Sequence, residues 1–230
     1  MIRVILWDID NTLLDFYAAE RRSIKACFKA FGLGPCTDEM VARYSAINIE
    51  MWKWLEDGLI EKPALLTGRF GRFFEAEGIA FDRLEEINAL YQKELGETIV
   101  VIEDSIALVE ELRGRVKQYA VTNGTFVAQD RKLKKSGLDK LLDGVFISEE
   151  VGAEKPSPAF FNKVFETIGD YAKDEILIVG DSLTSDMRGG SWAGIRCCWF
   201  NPAGDPIPPE LNIRYDIRHL AQVKEILDEG

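Results

Sequence analysis

The stretch RVILWDIDNT, residues 3–12, decides how the rest of the chain is read. Residues 3–7 form a short apolar run rich in strand-forming side chains, and it stops at two carboxylates, Asp8 and Asp10. Four comparable runs follow far downstream, at residues 116–121, 145–147, 175–179 and 195–199. Being largely apolar on both faces, they read as central strands of a parallel sheet with helices on each side. Helical patterns at about 126–136, 158–168 and 185–192 lie between them, with Gly137, Gly169 and Gly194 as stop signals. This alternation predicts an α/β fold.

Residues 15–95 break the rhythm. They contain no convincing strand and read as four amphipathic helices near 17–31, 38–55, 63–77 and 82–95, divided by Gly32-Leu33-Gly34-Pro35, Gly58 and Gly78. Pro63 suits a first helical position, and Thr37 and Asp82 suit caps. The expected organisation is a core made of residues 1–14 and 96–230 and an all-helical insertion at 15–95. A proline-rich loop at 201–209 precedes a last helix expected at about 217–227.

The 28 basic and 39 acidic residues among 230 give a net charge of −11, with no basic patch to offset it. That balance argues against a nucleic-acid polymer or an anionic membrane as partner. A small anionic substrate is still compatible, because one lysine and a metal ion reverse the field inside a cleft. A single histidine, His219, cannot supply both a histidine-dependent triad and a histidine-rich zinc site, which leaves carboxylate or lysine chemistry. Cys27, Cys36, Cys197 and Cys198 lack zinc-ligand spacing and read as buried small side chains in a reducing compartment. The apolar start is interrupted by Asp8 and Asp10 before a secretory segment could form, and no apolar run has membrane-spanning length, so the cytoplasm is expected.

Ligand sites of open parallel sheets lie beyond the carboxyl ends of the strands, and those positions are unusually polar here. They carry Asp8-Ile9-Asp10-Asn11-Thr12, Thr122-Asn123-Gly124, Glu154-Lys155-Pro156 and Gly180-Asp181-Ser182 followed by Asp186. Two acids at i and i+2 continuing a strand point the same way, so Asp8 and Asp10 are expected close together, where a divalent cation or a shared proton must relieve their repulsion. Adding Asp181 makes an oxygen-rich cluster of the kind magnesium prefers. Lys155 adds a fixed positive charge, and Thr122 with neighbouring amides adds donors, a set suited to gripping a phosphoryl group.

Taken together, the four clusters resemble the four motifs of the haloacid dehalogenase (HAD) superfamily, specifically its phosphatases, over nearly the whole chain. The resemblance implies a Rossmann-like core with the helical insertion as a four-helix cap. It implies Asp8 as nucleophile, Asp10 as general acid and base, Thr122 and Asn123 with Lys155 as phosphate contacts, and Lys155 as charge stabiliser. Mg2+ would be held by the side chains of Asp8 and Asp181 and the main-chain carbonyl of Asp10, with Asp186 behind them. A closer similarity, to the pyrimidine 5′-nucleotidase branch, is carried by Asn48, the Trp52 region, Gly68-Arg69-Phe70 and residues 147–152 ahead of Lys155. It implies a nucleoside 5′-monophosphate as substrate; a monomer or homodimer is expected, and the charge balance leaves it without a polymer or membrane partner.

Asn48, Trp52, Arg69 and Tyr91 are the cap residues expected to choose the substrate, since the rim motifs meet only phosphate and metal. The basic run Arg131, Lys132, Lys134 and Lys135 reads as a solvated helix face. Three other readings compete. A dehalogenase needs no acid for a halide and is disfavoured by Asp10 and by the Asp181–Asp186 pair. A sugar-phosphate phosphatase or phosphomutase would use the same rim. A non-catalytic binding protein could be built on the same architecture, because a fold does not dictate function.

Overall fold

The computed structural model describes residues 1–229 and divides the chain into two compact units. One is formed by Met1–Asp15 together with the chain from Ile99 on, the other by Phe16–Thr98. Strand β1 (Val4–Trp7) is followed by helices α1 (Phe16–Phe31), α2 (Asp38–Glu56), α3 (Lys62–Glu77) and α4 (Leu84–Glu97). The chain continues through α5 (Ser105–Glu111), β2 (Lys117–Thr122), α6 (Phe126–Ser136), β3 (Gly144–Ile147), α7 (Ser148–Val151) and α8 (Pro158–Ile168). It closes with β4 (Ile176–Gly180), α9 (Arg188–Ala193), β5 (Arg196–Phe200), β6 (Ile213–Ile217) and α10 (Val223–Glu229).

All six strands pair in parallel, in the order β3-β2-β1-β4-β5-β6. The alternation of side chains sorts the central strands into two cores. Ile5, Trp7, Ala120, Leu177 and Val179 face a layer that includes Leu108 and Val109 of α5, Leu133 of α6 and Val223 and Ile226 of α10. Val4, Leu6, Val121, Ile176 and Ile178 face Phe160, Phe161 and Val164 of α8. Trp7 sits at the centre with its indole N–H satisfied by Gln118 Oε1 at 3.0 Å, and the Gln118 amide in turn donates to Val109 O at 2.9 Å. The chain runs outward from β1 in one direction to β3 and then crosses to β4 on the other side, which makes the carboxyl ends of β1 and β4 the switch point where such sheets form their crevice.

The segments that lead out of and back into this unit pair with each other. Asp15 N donates to Val100 O at 2.8 Å, Ile102 N donates to Leu13 O at 3.1 Å, and Leu14 forms an antiparallel bridge with Val101.

In the helical unit α1 packs on α4 and α2 on α3. Phe28, Tyr44, Phe70, Phe73, Phe74 and Tyr91 form its aromatic core. As the sequence predicts, Thr37 caps α2 by accepting from Met40 N at 3.3 Å. Within that core lies one carboxylate, Glu20, which accepts from Asn48 Nδ2 at 2.8 Å, from Tyr91 Oη at 3.4 Å and from Ser45 Oγ. Burial pushes the Glu20 carboxyl above its ordinary value of 4.5, against the pull of Ser45, Asn48 and the Arg69 charge. A carboxyl raised in this way keeps its proton longer folded than unfolded, so its contribution to stability falls as pH rises through that interval. Glu20→Gln removes this titration. The stability of the variant relative to wild type is expected to improve between about pH 4 and about pH 7, read from denaturation midpoints at both ends. A difference that stayed constant or declined would contradict the buried titrating group.

Some expectations are corrected. The segment 213–217, expected to lead into the last helix, is instead the edge strand β6, and helix α10 starts only at Val223. An edge strand is half-buried, so its Arg214 and Asp216 break the apolar run that marked the other strands. Asp82 does not cap α4, whose first residue is Leu84 and whose cap position is Arg83, with no side-chain cap bond. The four cysteines are free and three of them are buried. No helix among the described residues is long and apolar enough to cross a membrane.

Candidate active site

Beyond Trp7 the ladder continues for one more bond, Asp8 N to Val179 O at 2.9 Å, which fixes Asp8 at the tip of β1. The chain then turns tightly, with Leu13 N and Leu14 N both donating to Ile9 O and with Asn11 in the left-handed region at φ 62°. The turn returns Thr12 to the rim. Its hydroxyl donates to Asp8 Oδ2 at 3.2 Å and accepts from Asp181 N at 3.1 Å, tying the ends of β1 and β4 together.

Lys155 reaches the rim from the loop between α7 and α8. Its ammonium donates to Asp8 Oδ1 at 2.8 Å, to Asp186 Oδ1 at 2.7 Å and to Val121 O at 2.7 Å, so all three donors of a side chain only 1% exposed are engaged. Asn123 holds the main chain of Lys155 in a reciprocal pair, its Nδ2 donating to Lys155 O and its Oδ1 accepting from Lys155 N, both at 2.8 Å. Asp186 also accepts from Ser182 N at 3.2 Å. It fits beneath the rim because residue 180 is glycine: a Cβ there would collide with the Asp186 carboxylate.

Oxygens of Asp8, Asp181 and Asp186 lie within 4.8 Å of one another. Three carboxylates against one ammonium leave excess negative charge in a buried setting. Burial and Asp186 push the Asp8 carboxyl up to about 7 against the pull of Lys155. Burial, with Asp8 and then Asp186, holds Asp181 well above the carboxylate range. Burial works against the Lys155 charge, but Asp186 and Asp8 outweigh it and raise that group above its ordinary value. An all-oxygen donor set with uncompensated negative charge is the chemistry that a hard divalent cation relieves, so the residues fit magnesium.

Asp10 takes a different course. Its carboxylate turns to α6, where Gln129 Nε2 donates to Oδ2 at 2.6 Å and the Lys132 ammonium pairs with Oδ1. Asp8 and Asp10 are near enough for Asp10 to add repulsion at Asp8, as the period of two predicted, but their carboxylates take different partners, because β1 ends at Trp7 and the turn redirects the chain. Thr122 is buried at the end of β2, its Oγ1 accepting from Gly124 N at 3.1 Å.

Three further expectations are corrected. Asn123, expected to contact phosphate, has its side-chain amide engaged by the main chain of Lys155. Lys132 is not part of a solvated face: Arg131, Lys134 and Lys135 are exposed, whereas Lys132 is 1% exposed. Asn48, Arg69 and Tyr91, expected to choose substrate, are buried inside the helical unit. Arg69 donates to Asn48 Oδ1 at 3.0 Å and to Asn88 Oδ1 at 2.9 Å, with its guanidinium 4.8 Å from the Tyr91 ring centre, and Asn48 and Tyr91 donate to Glu20. Asp186 bonds Lys155 and has an oxygen within 4.8 Å of those of Asp8 and Asp181. Trp52 is half-buried against the cluster of Met51, Leu55 and Leu65. Sequence reasoning missed Thr12, Glu20 and Gln129. For Gln129 and Lys132 the available signal was their i, i+3 spacing on a helix that opens just beyond the Thr122 loop.

Comparison with known proteins completes the description. A family model described as haloacid dehalogenase-like hydrolase matches residues 2–194. The chain is 36% identical over 231 residues to the pyrimidine 5′-nucleotidase PynA of Streptococcus pneumoniae, covering 99% of this chain and 96% of that one. It is 29% identical over 225 residues to the pyrimidine 5′-nucleotidase YjjG of Escherichia coli, covering 97% and 96%. It is similar to the crystal structure of YfnB from Bacillus subtilis bound to magnesium, with a TM-score of 0.93, 35% identity and 99% of each chain covered.

Proposed function

This chain belongs to the haloacid dehalogenase-like hydrolases, and from that membership we propose that it is a magnesium-dependent phosphatase of small phosphomonoesters, acting in the cytoplasm on nucleoside 5′-monophosphates. The observation that carries the reading is the rim itself, where Asp8, Asp181 and Asp186 converge within 4.8 Å and Lys155 bridges Asp8 to Asp186. The nucleotide preference is supported by the likeness to PynA and YjjG.

Asp8 attacks phosphorus in line and becomes an aspartyl-phosphate while the P–O bond to the leaving group breaks, replacing one difficult displacement by two easier ones. Asp10 donates its proton to the departing oxygen, then takes a proton from the water that attacks the same phosphorus, releasing phosphate and restoring Asp8. Lys155 favours the ionised form of Asp8, and Thr122 grips the phosphoryl oxygens together with Lys155, which turns one N–H from its resting partners to do so. The side chains of Asp8 and Asp181 and the main-chain carbonyl of Asp10 would hold the magnesium ion, which when bound neutralises charge on the transferring group. Within the helical unit, the half-buried Trp52 is the residue left as a candidate for substrate choice.

A panel of nucleoside monophosphates and sugar phosphates, assayed for released phosphate with magnesium and after chelation, tests the proposal. Release that needs magnesium and favours pyrimidine monophosphates is the expected result. A preference for small sugar phosphates would overturn the nucleotidase reading, and no release from any member would overturn the phosphatase reading.

A further inference from the structure

Asp10 is held from a single helix face. Gln129 and Lys132 stand three residues apart on α6, a spacing that puts both side chains on one side, and they take the two carboxylate oxygens separately. Both are 1% exposed. The helix that carries them is fixed at its start: Thr125 caps it by accepting from Ala128 N at 3.4 Å, directly after the Thr122–Gly124 turn.

Two details indicate that this grip is built rather than incidental. The Gln129 amide donates to Asp10 while its own Oε1, buried, has no partner among the described residues. An amide normally settles where both of its ends are satisfied, so here the contact with Asp10 sets its orientation. The second detail is Gly124. A Cβ at that position would run into the Gln129 side chain, so the glycine of the Thr-Asn-Gly turn leaves the channel through which Gln129 reaches Asp10.

We propose that Gln129 and Lys132 are positioning residues for the acid–base step: through Asp10 they fix where the transferred proton sits relative to the Thr122 loop. The proposal rests on the assignment of Asp10 as acid and base. Proton transfer needs the donor within hydrogen-bond reach of the leaving oxygen, and misplacement by about 1 Å costs on the order of 100-fold. A carboxyl freed from both donors samples other rotamers and loses that placement.

The test compares Gln129→Leu, Lys132→Met and Lys132→Arg, assayed with magnesium on an alkyl phosphate, whose leaving group needs a proton, and on an aryl phosphate, whose leaving group does not. Gln129→Leu and Lys132→Met are each expected to lower kcat on the alkyl ester by about 10- to 100-fold with KM changed by less than about threefold. The loss in aspartyl-phosphate formation from the aryl ester should be smaller, and Lys132→Arg should recover most of the activity. Adding Gln129→Leu to Asp10→Asn should cost nothing further, since the residue it positions is already disabled. If Lys132→Met fails to fold, the Gln129→Leu series and its combination with Asp10→Asn carry the test. Equal losses on both esters, or a full additional loss in the Asp10→Asn background, would overturn the positioning role and leave a packing role. Wild-type turnover by Asp10→Asn would overturn the parent assignment instead, and wild-type turnover by Gln129→Leu and Lys132→Met beside an inactive Asp10→Asn would overturn this proposal alone.

Discussion

Asp8→Asn protein is expected to fold as the wild type does and to release no phosphate. The substitution keeps the shape of the side chain but replaces the attacking carboxylate oxygen by an amide, which does not form a phosphorylated intermediate under these conditions. Loss of a nucleophile of this kind lowers kcat by on the order of 10⁴-fold or more. Stability should hold because the amide oxygen of the variant side chain can still accept from Lys155, which keeps Asp186 as its charged partner at 2.7 Å. Removing one of three crowded carboxylates also relieves the repulsion from Asp186 that, after burial, helps to lift the Asp8 carboxyl to about 7. Steady-state release from an aryl phosphate, together with a thermal melt, checks both halves. Turnover above about 1% of wild type would remove Asp8 from the nucleophile role.

Lys155→Met should do the opposite and damage the fold along with the chemistry. The ammonium gives up three bonds at once, to Asp8, Asp186 and Val121 O, and leaves carboxylates facing one another in a site shielded from water. Breaking a buried ion pair by removing one partner costs about 3–5 kcal/mol. The deficit should be largest at neutral pH and shrink in acid. Without the lysine the carboxyls stay protonated to higher pH, and a protonated carboxyl needs no cation. Denaturant unfolding of wild type and variant at about pH 5 and about pH 7.5 reads the difference. A deficit below about 1 kcal/mol, or one that grows in acid, would show that the lysine charge is not what holds the rim.

The central strands and the rim were legible because two signals coincided there. The β1 segment joins a continuous apolar run to an abrupt acid, and Gly180-Asp181 repeats the pattern at β4. Strand β6 gave no such signal, since an edge strand alternates with polar side chains that face water. Lys132 was hidden inside a run of four basic residues, and charge runs usually are solvated; its burial and its pairing with Asp10 separate it from its neighbours. Glu20 was equally silent, one acid on an amphipathic helix whose burial depends on partners from two other helices, Asn48 on α2 and Tyr91 on α4. Asn123 misled for another reason. Its place beside Thr122 suggested a ligand contact, and nothing local indicates that its amide mimics a strand partner for a segment 32 residues away.

The pairing of Asp15 with Val100 and of Leu13 with Ile102 has a consequence for ancestry and for engineering. The outgoing and returning segments are already joined, so to the sheet the whole helical module occupies the position of a hairpin loop. Lengthening such a loop raises its closure entropy only logarithmically. A module at this junction could therefore be enlarged, exchanged or trimmed to a short turn without unpairing a strand, which leaves the rim free to keep one chemistry while the appended helices diversify.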